Sequence, residues 1–193
     1  FIIIQKTFIL SIIKFCSKMT KKTITSNKTS FTQAINISAQ WCKEWSDDLL
    51  SEEVLADRIA ELIRTKNGMR GFFAYALSDQ DCSLLDKLPS SIVFKLQEGG
   101  NKIVEIVVKN LIMSSAQIVV HDREKNLAYK SNSENISERC KNILRALETK
   151  LVTKTINQII KDLDNLGNSF EDSKKYDDKQ KEFIKQQIFD IAQ

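Results

Sequence analysis

The sequence predicts an all-α fold, a single-domain bundle of about six or seven helices around a central apolar helix at residues 101–121. Three observations carry that expectation. A chain of 193 residues with 42% hydrophobic and 28% charged side chains suits one soluble domain with a sizeable core, well away from the composition of disordered chains. One proline and five glycines are too few to punctuate the short strands of an all-β fold. Residues 103–120, IVEIVVKNLIMSSAQIVV, are apolar except at Glu105, Lys109, Asn110, Ser114, Ser115 and Gln117, which marks a helix buried at the centre.

The chain begins at Phe1, and its first methionine is Met19. Residues 1–30 read as an extension outside the fold, disordered or non-native, with Met19 favoured as the start of the protein. A truncated targeting signal or anchor and an organelle transit peptide are the competing readings. The apolar runs here are broken by Lys6 and Lys14 and fall short of the ~20 residues a spanning helix needs, so no transmembrane segment is expected.

A helical domain follows over residues 31–166. Residues 31–49 place Ala34, Ile37, Trp41, Trp45 and Leu49 on one stripe. Ser51 with Glu52 and Glu53 is an N-cap with acid in the first turn, and Leu55, Ile59, Leu62 and Ile63 form the inner face of the helix it opens. Arg64 and Lys66 suit that helix's last turn, and Asn67-Gly68 is expected to close it. Phe72, Phe73, Tyr75 and Leu77 fit either a helix or a strand at 71–78, with helix favoured. Pro89 introduces a short helix through Gln97, Gly99-Gly100 breaks the chain, and the central helix begins. A polar loop is expected at 123–132, then a helix capped near Ser133. Its stripe runs through Ile136, Cys140, Ile143 and Leu147, slips near Thr149, and resumes as Val152, Ile156, Ile159 and Leu163. Two helices or one kinked helix satisfy it. Residues 167–193 form a C-terminal amphipathic helix.

Charge is unevenly spread. Residues 1–43 hold seven lysines and no acid, so the net +4 of the chain leaves −3 on residues 44–193. A body of that sign does not suit a broad nucleic-acid surface, and only the basic N-terminal arm offers one. Cys16, Cys42, Cys82 and Cys140 form no C-x-x-C pair and have no neighbouring histidine, so no metal site is expected. They read as free thiols in a reducing compartment, since a chain of this size does not need disulfide staples.

Side chains that carry chemistry are scarce, and no nucleotide, metal or nucleophile motif stands out. His121 is the lone histidine, in the run HDRE at the end of the central helix. His121 and Asp122 are the candidate acid–base pair, set against a plain polar helix end where positive charge suits the dipole. A small-molecule pocket there would add Arg123 and the aromatic cluster Phe72, Phe73 and Tyr75. Trp41 and Trp45, one turn apart, read as core before they read as a stacking platform. Ser114 and Ser115 suit a close helix approach, and Gly99-Gly100 lacks the spacing of a phosphate loop. No cofactor is expected. In the last segment Phe183, Ile184, Ile188 and Ile191 share one face and are the candidate partner-binding residues. Resting on an anionic membrane surface is the other use of residues 173–193, and docking back on the protein's own bundle is weighed evenly against both.

The segments LSEEVLADRIAELI, GMRGFFAYALSD and VKNLIMSSAQIVVHDRE resemble, in that order, a group of small uncharacterised helical proteins of cyanobacteria. The resemblance covers about residues 33–150 and carries no activity onto any position. It implies a soluble, cytoplasmic protein. The expected function is a non-enzymatic helical interaction module, an adaptor or assembly factor. The alternatives are a small-molecule binder or enzyme near His121, and nucleic-acid association through the N-terminal arm.

Overall fold

The computed structural model describes residues 29–164 and 176–191, and among them the chain forms α-helices and no strand. The helices are α1 Phe31–Ser46, α2 Glu52–Ile63, α3 Lys66–Ser78, α4 Ser90–Glu98, α5 Asn101–Arg123, α6 Leu127–Ala146, α7 Thr149–Asp164 and α8 Asp178–Phe189. The basic arm at 1–28 and residues 165–175 lie outside the described residues, as does the Leu163 side chain.

Local chemistry explains most of the boundaries. Ser30 opens α1 with a reciprocal cap: its Oγ accepts from the Gln33 N–H at 3.2 Å, while Gln33 Oε1 accepts from the Ser30 N–H at 2.9 Å. The helix stops at Ser46, earlier than the stripe predicts, and Leu49 is left 71% exposed in the turn that follows. Ser51 caps α2 as its sequence implies. Asn67-Gly68 does not close that helix. Thr65 Oγ1 accepts from the Gly68 N–H at 3.0 Å, so Thr65 starts α3 and the Asn-Gly pair falls in its first turn. The ambiguous stretch 71–78 is helical. A Cβ on Gly71 would meet that of Ala34 and lie 2.9 Å from the Phe31 carbonyl, so α3 crosses α1 where only glycine fits.

Gly100 adopts φ +57° and turns the chain from α4 into α5. The loop expected at 123–132 is much shorter. Asn126 Oδ1 accepts from the Tyr129 N–H at 3.2 Å and α6 begins at Leu127, because an asparagine side chain supplies the cap that the sequence reading gave to Ser133. The slip near Thr149 separates two helices, α6 and α7.

Two groups of helices share one core. α1 packs on α3, and α2 on α4, while α5 packs along α6 with α7 and α8 against its other sides. Val104, Val107, Val108, Leu111 and Ile112 of α5 are buried at the centre. α5 alone among the described helices is long and apolar enough to cross a membrane, and here its apolar face is covered by its neighbours.

α8 belongs to this core. Ile184 and Ile188 are fully buried, and Phe183 and Ile191 are half-buried, so the face that the sequence offers to a partner is spent on the protein's own bundle. Gln180 Nε2 donates to the buried Ala116 carbonyl at 3.2 Å, and Arg123 holds Asp177 with two bonds at 2.6 and 3.0 Å.

The connection from α3 to α4 is fastened twice. Cys82 forms a disulfide with Cys42 of α1, their Cα atoms 5.5 Å apart, which corrects the reading of four free thiols. Forty residues separate the two in sequence, and only helix packing brings them together. Cys140 is a free, buried thiol whose pKa is pushed up by burial. The second fastening is Arg139 of α6, only 6% exposed. Its guanidinium donates to the carbonyls of Ala76, Leu77, Asp79 and Cys82 and, at 2.7 and 3.0 Å, to the Asp86 carboxylate.

Candidate functional site

The HDRE corner lies where the end of α5 meets the starts of α6 and α8. The His121 side chain is 17% exposed and tilts against Tyr129, ring centres 5.5 Å apart. Its Nδ1 is buried without a hydrogen bond and lies 3.7 Å from the Glu124 carboxylate. Asp122 is paired with Lys130 at 2.7 Å, and that hydrogen bond lowers its pKa below the usual carboxylate value. Arg123 is held by Asp177, whose pKa falls to about 2 through that bond and the Gln180 N–H. The charged groups here are thus committed to joining helices. Asp122 makes no hydrogen bond to His121 that would orient it as a base.

Nor does the fold bring the aromatic cluster to this corner. Phe72 and Phe73 pack edge to face within α3, fully buried in a layer with α1 and α2, and Tyr75 is half-buried against the same core. Trp41 is buried and Trp45 half-buried, which removes them as a stacking platform. Among the described residues no group of three His, Cys, Asp or Glu is placed to hold a metal ion.

A different place stands open, and the sequence reading did not single it out. Between α2 and α4 lies a dip of about 390 Å³, its bottom formed by the small side chain of Ala56, its α2 wall by Glu53 and Asp57, and its α4 wall by Ser90, Ser91 and Phe94. Phe94 is 58% exposed, on a short helix whose Ile92 and Leu96 are fully buried. The groove is pre-set by hydrogen bonds. The Glu52 carboxylate accepts from the Ser91 N–H at 2.8 Å and from the Ser90 hydroxyl at 3.3 Å, capping α4 from α2. These bonds, the Ser91 N–H first, hold the Glu52 pKa below its usual value. Lys95 reaches across to Asp57 at 3.0 Å and to Glu98 at 3.9 Å, and the Asp57 hydrogen bond raises its pKa. Asp57 itself remains 72% exposed at the rim.

The sequence held one cue to this site. In SSIVFKLQE the spacing that buries Ile92 and Leu96 puts Phe94 on the outer face. What α2 adds opposite it depends on packing alone.

A family model described as Uncharacterised conserved protein UCP020893 matches residues 30–191. No curated protein and no solved structure matches the chain.

Proposed function

Since the chain belongs to this uncharacterised conserved family, whose description names no activity, we propose from its surface that it is a non-enzymatic helical module that holds a protein partner, an adaptor or assembly factor. The observation that carries the reading is the α2–α4 groove with Phe94 exposed at its edge. Large aromatic anchors beside shallow, preformed grooves are the usual source of binding energy between proteins. The groove replaces the α8 face as the contact surface, because Ile184 and Ile188 are in the core. The scarcity of free catalytic groups points the same way: Asp122 and Arg123 are tied up in ion pairs between helices.

Affinity capture of the tagged chain from its own lysate, with nuclease, tests this when run beside a Phe94→Asp variant. A stoichiometric protein recovered by the native chain and lost by the variant supports the module. Recovery of the bait alone, or equal recovery by both, overturns it. Phe94 is 58% exposed, and a melting temperature of the variant equal to that of the native chain shows that the comparison is free of folding effects.

A further inference from the structure

We infer that the groove between α2 and α4 takes a cationic amphipathic segment of another protein, one large apolar side chain seated against Ala56 and Phe94 and its lysines or arginines facing Glu53, Asp57 and Glu98. This rests on the interaction-module reading and names the chemistry of the partner.

Charge decides among the occupants that an apolar groove could accept. Around the dip stand four carboxylates, Glu52, Glu53, Asp57 and Glu98, against two cations, Lys95 and Arg64. Lys95 and Asp57 neutralise each other at 3.0 Å, with the Lys95 ammonium over the Phe94 ring at 5.9 Å, and Glu52 is spent as the cap of α4, so the charge left over beside the dip, Glu53 and Glu98 against Arg64, is negative. A nucleic acid or an anionic membrane would bring phosphates against that rim and lose affinity for it. A second copy meeting the same face by a two-fold axis would bring two patches of the same net negative charge together, because such an interface uses the same patch twice. A segment with lysines or arginines beside its apolar face has neither conflict. The dip, about 390 Å³ and lined by Ala56 and Phe94, has room for one large apolar side chain.

The probes are two synthetic helix-forming peptides of roughly 18 residues, about five turns, with identical Leu and Phe faces. One carries lysines on its polar face, the other glutamates. Titrated into the isotope-labelled full chain, the lysine peptide is expected to shift the resonances of Ala56, Asp57 and Phe94, with binding that weakens as salt rises. The glutamate peptide is expected to bind about tenfold less well, the effect of two or three rim charges. A Glu53→Lys/Asp57→Lys double variant, both sites on the surface, should reverse that order. Equal binding of the two peptides, or an order the double variant leaves unchanged, overturns the charge assignment while a Phe94-dependent captured partner would leave the module reading standing.

Source is settled by a photo-crosslinking benzoylphenylalanine placed at position 94 of the full chain. A cross-link to a lysine- or arginine-rich amphipathic segment of another protein supports the inference. A cross-link to this chain's own residues 1–28, whose six lysines offer similar chemistry, or to a second copy overturns it.

Discussion

Arg139 is a buried cation that survives because every direction of its planar fork meets an acceptor. Two of those acceptors, the carbonyls of Ala76 and Leu77, belong to the last turn of α3, where carbonyls lack helical partners and positive charge suits the dipole. Arg139→Ala strands the buried carbonyls of Ala76, Leu77 and Cys82, and a loss of about 3–5 kcal/mol is expected in urea unfolding. Arg139→Lys should recover little of it, because an ammonium cannot reproduce the fork. Ser115 is the opposite case. Its hydroxyl is fully buried and bonded to nothing, so Ser115→Ala should leave the chain about 1 kcal/mol more stable, and a loss would mean that the hydroxyl has a use. Asp177 gives a pH dependence whose sign follows from its lowered pKa. Its bond with Arg123 contributes fully above the unfolded carboxylate value near 4 and is lost as pH falls toward about 2. The stability difference between the native chain and Asp177→Asn should therefore shrink to nothing across that window. Local caps such as Ser51 are legible in the sequence because donor and acceptor are three residues apart. Arg139 is not, since its partners lie 53 to 63 residues away and an arginine in the run ISERCKNIL reads by type as exposed.

Between elements, the disulfide is the contact that the sequence could least reveal. Four cysteines allow three pairings and permit none, and only the crossing of α1 by α3 sets Cys42 beside Cys82. That pairing weakens the ground for a reducing compartment, which rested on all four thiols being free. Closing a loop over 40 residues restricts the unfolded chain by at most about 4 kcal/mol. Reduction with dithiothreitol should accordingly lower the melting temperature, and alkylation of the denatured, unreduced chain should leave Cys42 and Cys82 unlabelled. Labelling at both would overturn the bond. The Asn67-Gly68 pair lies inside a helix for a local reason. An Asn-Gly pair ordinarily signals a helix end, but Thr65 caps a new helix two residues earlier and the glycine lies in tight quarters near the Leu62 carbonyl. The amphipathic stripe of α8 was legible as a stripe. What it faces was not, because a sequence shows that a face is apolar without showing whether the cover is the same chain or another.

For the molecule as a whole, the question is whether α1–α4 and α5–α8 behave as one cooperative unit. Ile184 and Ile188 of α8 lie in the same continuous core as Phe72 and Leu55. The halves are joined by α3 against α6, by Arg139, and by the Gln97 amide donating to the Ala146 carbonyl at 3.0 Å. Both tryptophans, Trp41 and Trp45, are on α1, so tryptophan fluorescence reports the first half alone, while Ile184 lies in the second. Ile184→Ala opens a cavity against α5 and should remove about 2–5 kcal/mol. If the core is one unit, that loss must appear in full in the fluorescence of tryptophans on α1, which is not among the main packing partners of α8, and fluorescence and far-ultraviolet ellipticity must unfold at the same denaturant concentration. A tryptophan transition left in place while helicity falls early would divide the molecule into two units. The groove between α2 and α4, both on the tryptophan side of that division, would then be carried by a half that folds without α8.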